Sequence, residues 1–179
     1  MWPSISVGNG YAKPDLRREG YSPGMDDKRE FMRHTLAALA YGAARALDGA
    51  PDEFAEFTGC ERTPGEILAH MGDLFDWSLS IAQGQQRWQN SQPLSWAEEN
   101  LRFFGALSAF DAYLAGAEPV HTELERLFQG PVADAISHVG QLAMMRRLAG
   151  HKIPGENYYV AHIRSGQTGA EQPKPVKTF

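Results

Sequence analysis

Asp134 and His138 stand four residues apart in "PVADAISHVGQLAMMRRLAG", a stretch otherwise patterned for helix packing. On a helix, residues i and i+4 share a face, with Cβ atoms about 6 Å apart. A third residue of matching chemistry is His70, in "ILAHMGDLFDWSL", flanked by Ile67, Met71 and Leu74. If those two helical faces meet, two imidazoles and one carboxylate converge from two rigid elements. That donor set suits Zn(II), Ni(II), Fe(II) or Mn(II). Three protein ligands leave positions for water or substrate, the arrangement of a catalytic metal rather than a structural one. The same residues also fit a purely structural role. An apolar-face histidine can be a hydrogen-bonded core residue, and an Asp–His pair can hold two helices in register. The chain is then a non-catalytic bundle, a ligand-binding or interaction module. Spacing alone leaves both readings open.

The elements that must position these residues are helical. "DDKREFMRHTLAALAYGAARALDGA" has Asp26 or Asp27 as its cap and negative start. Phe31, Leu36, Leu39, Ala43 and Leu47 form its apolar stripe, and Gly49 and Pro51 stop it. In the second helix Thr63 caps, Pro64 takes the first position and Glu66 completes a capping box. Its apolar face runs through Ile67, His70, Met71, Leu74, Trp77, Ser78 and Ile81, and Gly84 ends it. The third begins at Ser95 with Glu98 three residues on, and buries Leu101, Phe104, Leu107 and Ala112 or Leu114. "HTELERLF" reads as a short separate helix, and the fourth main helix runs from about Pro131 to Leu148, with Gly150 as its stop. Residues 1–24 and 151–179 carry Pro and Gly at spacings unsuited to helix and read as arms. There is no alternating strand pattern and no repeat. The expectation is an all-α four-helix bundle over residues 25–150, with extended N- and C-terminal arms. The C-terminal arm should cover the bundle, because Ile153, Tyr158, Tyr159 and Ile163 are costly to leave in water.

Composition narrows the function. With 179 residues, 42% hydrophobic and 22% charged, the chain suits one soluble domain. A net charge of −5 argues against nucleic acid as a partner, because phosphate neutralisation needs a basic surface. No apolar run is long enough to span a bilayer, and the first residues lack a signal-peptide core. A cytoplasmic location is the expectation. The single cysteine, Cys60, has no partner for an internal disulfide and no base placed beside it.

"SHVGQLAMMRRLAG" resembles the last bundle helix of the DinB-like (YfiT-like) superfamily of metal-dependent enzymes, and "ILAHMGDLFDWSL" resembles its second helix. The likeness covers roughly residues 26–150, and "PGENYYVAHIRSGQTGAEQ" is similar to the C-terminal extension of one branch. The resemblance makes His70 the first ligand and His138 the last. It puts Asp134 where the common pattern has histidine, so the site either persists with altered preference or is degenerate. It implies a divalent metal activating a water or thiol, in a hydrolase or low-molecular-weight thiol transferase. It also implies a small-molecule substrate and a homodimer. Gln141 falls in the family's Gly-Gln pair, where it either supports a ligand by hydrogen bond or satisfies nearby backbone. Asn157 and Tyr158, with Glu156, either line the pocket or clamp the tail, and the clamp is preferred. Gly140 is expected to permit close helix approach. Asp73 is expected on a solvated face, and Asp76, Arg146 and Arg147 in surface or inter-helix ion pairs. Trp77, Trp88, Trp96, Phe103 and Phe104 are expected in the core or a dimer contact. His34, His151 and His162 are expected in core or solvent positions.

Overall fold

The computed structural model describes residues 24–179. The arm expected over 1–24 therefore lies, but for Gly24, outside the described residues. Helices α1 (Met25–Leu47), α2 (Pro64–Ala82), α3 (Trp96–Ala115), α4 (Leu124–Leu127) and α5 (Ala133–Leu148) make up the body. No strand occurs among the described residues beyond an isolated bridge between Glu156 and Thr178.

Local chemistry sets the helix ends. Thr63 and Glu66 exchange hydrogen bonds at the start of α2, at 2.7 and 3.2 Å, and Ser95 and Glu98 do the same on α3. Helix α1 starts one turn position earlier than its aspartates suggest. The carboxylate of Asp27 reaches back to accept from the Gly24 N–H at 3.2 Å, so it serves the first turn from inside it. Gly84 and Gly150 have φ of 79° and 86°, the left-handed conformation that ends a helix and that glycine adopts without strain.

Four main helices form a ring in the order α1, α3, α2, α5, so that α1 and α2 stand on one diagonal and α3 and α5 on the other. Leu36, Leu68, Met71, Phe75, Phe103, Leu107, Phe110 and Leu142 are fully buried between them. Each contributes about 1.5–3 kcal/mol by leaving water. Two positions drawn in the expected stripes lie outside. Phe31 is 70% exposed and Leu101 is 76% exposed. Phe31 is five residues from Leu36, which is not a helical repeat; Met32 takes the core position instead. Leu101 lies two residues from Phe103, on the opposite side of α3.

Polar contacts cross every seam of the ring. Arg33 of α1 holds the buried Asp111 of α3 at 3.1 and 3.3 Å, which raises the pKa of the guanidinium. Arg102 of α3 donates to Asp73 of α2 at 2.9 Å, to Glu99 at 3.0 Å and to the Ala69 carbonyl. Asp73 is thus buried, not solvated, and it also accepts from Ser91. Arg146 of α5 is buried as well. It pairs with no carboxylate among the described residues but donates to the carbonyls of Ala46, Asp48 and Gly49, capping α1. Burial lowers its pKa. The α2–α5 seam is the exception. No arginine crosses it among the described residues; His70 and Asp134 do.

The last helix is not two separate ones. Helix α4 continues through a π turn, Phe128–Val132, directly into α5. Pro131 lies inside that wide turn, where its missing N–H and bulky ring are tolerated. The extra residue rotates the faces of α5 relative to α4.

Residues 151–179 contain only one short 3-10 turn, Tyr158–Val160. They meet the bundle through Glu156, which accepts from the Tyr41 hydroxyl and lies 3.5 Å from Arg45. Thr168 meets Ser108 at 3.0 Å. Tyr159 is 86% exposed, whereas Ile153 and Ile163 are partly buried.

Candidate metal centre

His70 projects from α2, and Asp134 and His138 from the first turns of α5, just beyond the π turn. Asp134 Oδ2 lies 3.2 Å from His70 Nε2, and Asp134 Oδ1 lies 3.4 Å from His138 Nε2. One donor atom from each residue lies within 4.8 Å of the others. The imidazole rings stand edge to face, with centroids 5.0 Å apart. A tetrahedral cation with ligands at about 2.1 Å places its donors about 3.4 Å apart. The two short contacts go to different oxygens of Asp134, and with one donor atom per residue the trio spans up to 4.8 Å, so the side chains would draw together around a bound cation. His138 is buried, His70 is partly exposed and Asp134 is half exposed, so the group opens to solvent on the carboxylate side.

Gln141 acts on the far side of His138. Its Oε1 lies 2.8 Å from His138 Nδ1. An amide oxygen only accepts, so Nδ1 carries a proton and Nε2 is the nitrogen that faces Asp134. An imidazole nitrogen facing a carboxylate oxygen is satisfied by a cation or a proton between them. Asp73, Asp111 and Glu99 each have a guanidinium; among the described residues Asp134 has only imidazoles.

Two cavities flank the trio. The larger, about 640 Å³, runs along α5 past His138, Gln141, Met144 and Met145 to Ile67. The smaller, about 340 Å³, is polar and holds His70, Asp73, Trp88 and Ser91. Arg62 lines both. Trp88 lies edge-on to His70 at 5.8 Å and to Trp77 at 5.5 Å. It comes from the loop between α2 and α3, which buried side chains tie down. Ser80 Oγ accepts from Arg87 N–H, Asp73 accepts from Ser91 and Glu99 accepts from Leu94 N–H. Burial opposes the charge on Arg102 beneath this loop, but the bonds to Glu99 and Asp73 outweigh it and raise its pKa.

The remaining candidates lie elsewhere. Asn157 caps its own 3-10 turn by accepting from Tyr159 N–H at 3.1 Å. Tyr158 packs edge-on against Tyr41 at 5.4 Å and lies over Gly42. Neither lines the two cavities beside the trio. His34, His151 and His162 are exposed. Cys60 is exposed at the rim of the larger cavity. Trp96 is buried against Phe54, and Phe103 and Phe104 are buried, while Trp88 is 46% exposed. The place of Trp88 beside His70 has no sequence signal, because its loop has no periodicity. Arg102 had one in Glu99, three residues before it on α3.

No family model, curated protein or solved structure matches this chain.

Proposed function

We propose that this chain is a metal-dependent enzyme of the DinB-like type, in which His70, Asp134 and His138 hold a divalent cation, Zn(II), Ni(II), Fe(II) or Mn(II). The observation that carries the reading is the α2–α5 seam. It is crossed by the His70 imidazole and the Asp134 carboxylate, with His138 beside them on α5, while the other seams use arginine. When bound, such a cation supplies Lewis acidity, which lowers the pKa of a water or thiol and polarises a carbonyl. Gln141 fixes the tautomer and orientation of His138. Trp88 shields one side of His70, and the half-exposed Asp134 leaves the opposite side open to a small molecule. The reaction class is hydrolysis or transfer of a low-molecular-weight thiol. The sequence resemblance supports a homodimer. No helix among the described residues is long and apolar enough to cross a membrane.

A second reading follows from Asp134 itself. Its direct contacts with both rings also make a hydrogen-bonded register device in a non-catalytic bundle. Elemental analysis of untagged wild type and Asp134→Ala, after incubation with each of the four metals under reducing conditions, separates them. Near-stoichiometric metal in the wild type, lost or weakened in the variant, is expected. Absence of metal from both assigns the trio to structure alone.

A further inference from the structure

Gly140 lies inside α5, two residues past His138, where glycine costs about 1 kcal/mol relative to alanine. Close approach of a neighbouring helix is the usual reason for such a glycine, and it is the one the sequence suggests. The structure gives no such reason: a Cβ at Gly140 meets nothing within 4 Å. What Gly140 does line is the larger cavity beside the trio. Its neighbours there are Ile67 and Met145, both nearly fully buried, and Met144, which is 56% exposed. Unbranched methionines adapt to the shape of an apolar guest. A volume of about 640 Å³ suits a small ligand. The charged side chains of this cavity, Glu61 and Arg62, are both exposed, and its polar edge is His138 and Gln141.

We infer that this cavity receives the apolar alkyl or aryl body of a small amphipathic substrate, whose polar head reaches His70, Asp134 and His138, and that Gly140 sets how large a body fits. The position of the head rests on the metal reading above; the preference of the cavity for an apolar body does not. Gly105 of α3 provides the control. It too has nothing within 4 Å of its Cβ, yet it lines none of the cavities described.

The test uses two probe series on the full chain. Straight-chain hydroxamates from acetyl to octanoyl are titrated into cobalt(II)-loaded protein and read by visible absorption. Straight-chain alcohols from butanol to octanol are titrated into metal-free protein and read by the methyl shifts of Met144 and Met145. Affinity should rise by about two- to fourfold per methylene in both series. Gly140→Leu should abolish that rise for the longer members and leave acetohydroxamate unaffected, with Gly140→Ala intermediate. Gly105→Leu should change neither series. Failure to load cobalt overturns the metal reading and leaves the alcohol series to decide the cavity. Affinity independent of chain length, or long probes bound by Gly140→Leu as by wild type, overturns the inference.

Discussion

Gln141 Oε1 lies 2.8 Å from His138 Nδ1, on the side of the ring away from Asp134. The amide thereby decides which nitrogen faces the carboxylate. Without it the imidazole can turn or change tautomer, and Nε2 is no longer held facing the trio. Gln141 is exposed, so its loss leaves the core of α5 intact. Gln141→Ala is therefore expected to weaken zinc binding by about 10- to 100-fold with helicity unchanged. Chelator competition measures the first and far-ultraviolet circular dichroism the second. Unchanged zinc affinity removes Gln141 from the site.

Asp134 provides the one anionic donor of the trio, and carboxylates favour manganese where imidazoles favour zinc and nickel. Asp134→His should therefore separate the metals. Mn(II) affinity is expected to fall at least about tenfold, while Zn(II) affinity stays within about tenfold of wild type. Competition titrations with both metals provide the comparison. Equal loss of both, or of neither, contradicts a ligand role for Asp134.

The parts of this molecule written in short-range pattern are legible from sequence. The boxes at Thr63–Glu66 and Ser95–Glu98 close between residues three apart. Asp134 and His138 share a face because they are four apart, and His70 stands out because it interrupts an apolar face. The illegible parts depend on partners distant in sequence or on backbone. Arg146 is buried by carbonyls at the end of α1, which no charge pattern announces. Asp73 is buried because Arg102 and Ser91 reach it from another helix and from a loop. The stripe through Phe31 takes a five-residue step to Leu36, and the stripe through Leu101 runs in successive three-residue steps that drift about 60° round the helix each time, so both side chains face water. Pro131 reads as the start of a helix, because a proline inside a π turn has no local signature.

Arg102 neutralises two buried carboxylates at once, Asp73 and Glu99, and lies across α2 at Gly72. A Cβ on Gly72 comes to 2.7 Å from the guanidinium carbon, so the glycine is what lets Arg102 reach the Ala69 carbonyl. Arg102→Met leaves both carboxylates uncompensated and should cost about 3–5 kcal/mol in urea denaturation. Gly72→Ala should displace the guanidinium and cost about 1–3 kcal/mol. Because Asp73 also holds Ser91, both changes should loosen the Trp88 loop and shift tryptophan emission to the red. Wild-type midpoints in both variants contradict the packing described for this seam.

Tyr41 links stability to alkaline pH. Its side chain is fully buried, and burial together with the hydrogen bond to Glu156 pushes its pKa up to about 12, from an ordinary value of 10.0. A folded-state pKa above the unfolded one means that the native state holds the proton more tightly. The stabilisation is fully present below pH 10 and is lost as pH rises toward 12. Two pKa units correspond to about 2–3 kcal/mol at most. Tyr41→Phe removes this linkage along with the donor to Glu156, whose carboxylate then keeps, among the described residues, Arg45 at 3.5 Å. The variant should be less stable at pH 7 by about 1 kcal/mol, and the gap should shrink or reverse by pH 11. Urea denaturation of both proteins from pH 7 to 11 reads the difference, so that lysine titration common to both cancels. Parallel curves across that range show that the hydroxyl makes no pH-linked contribution.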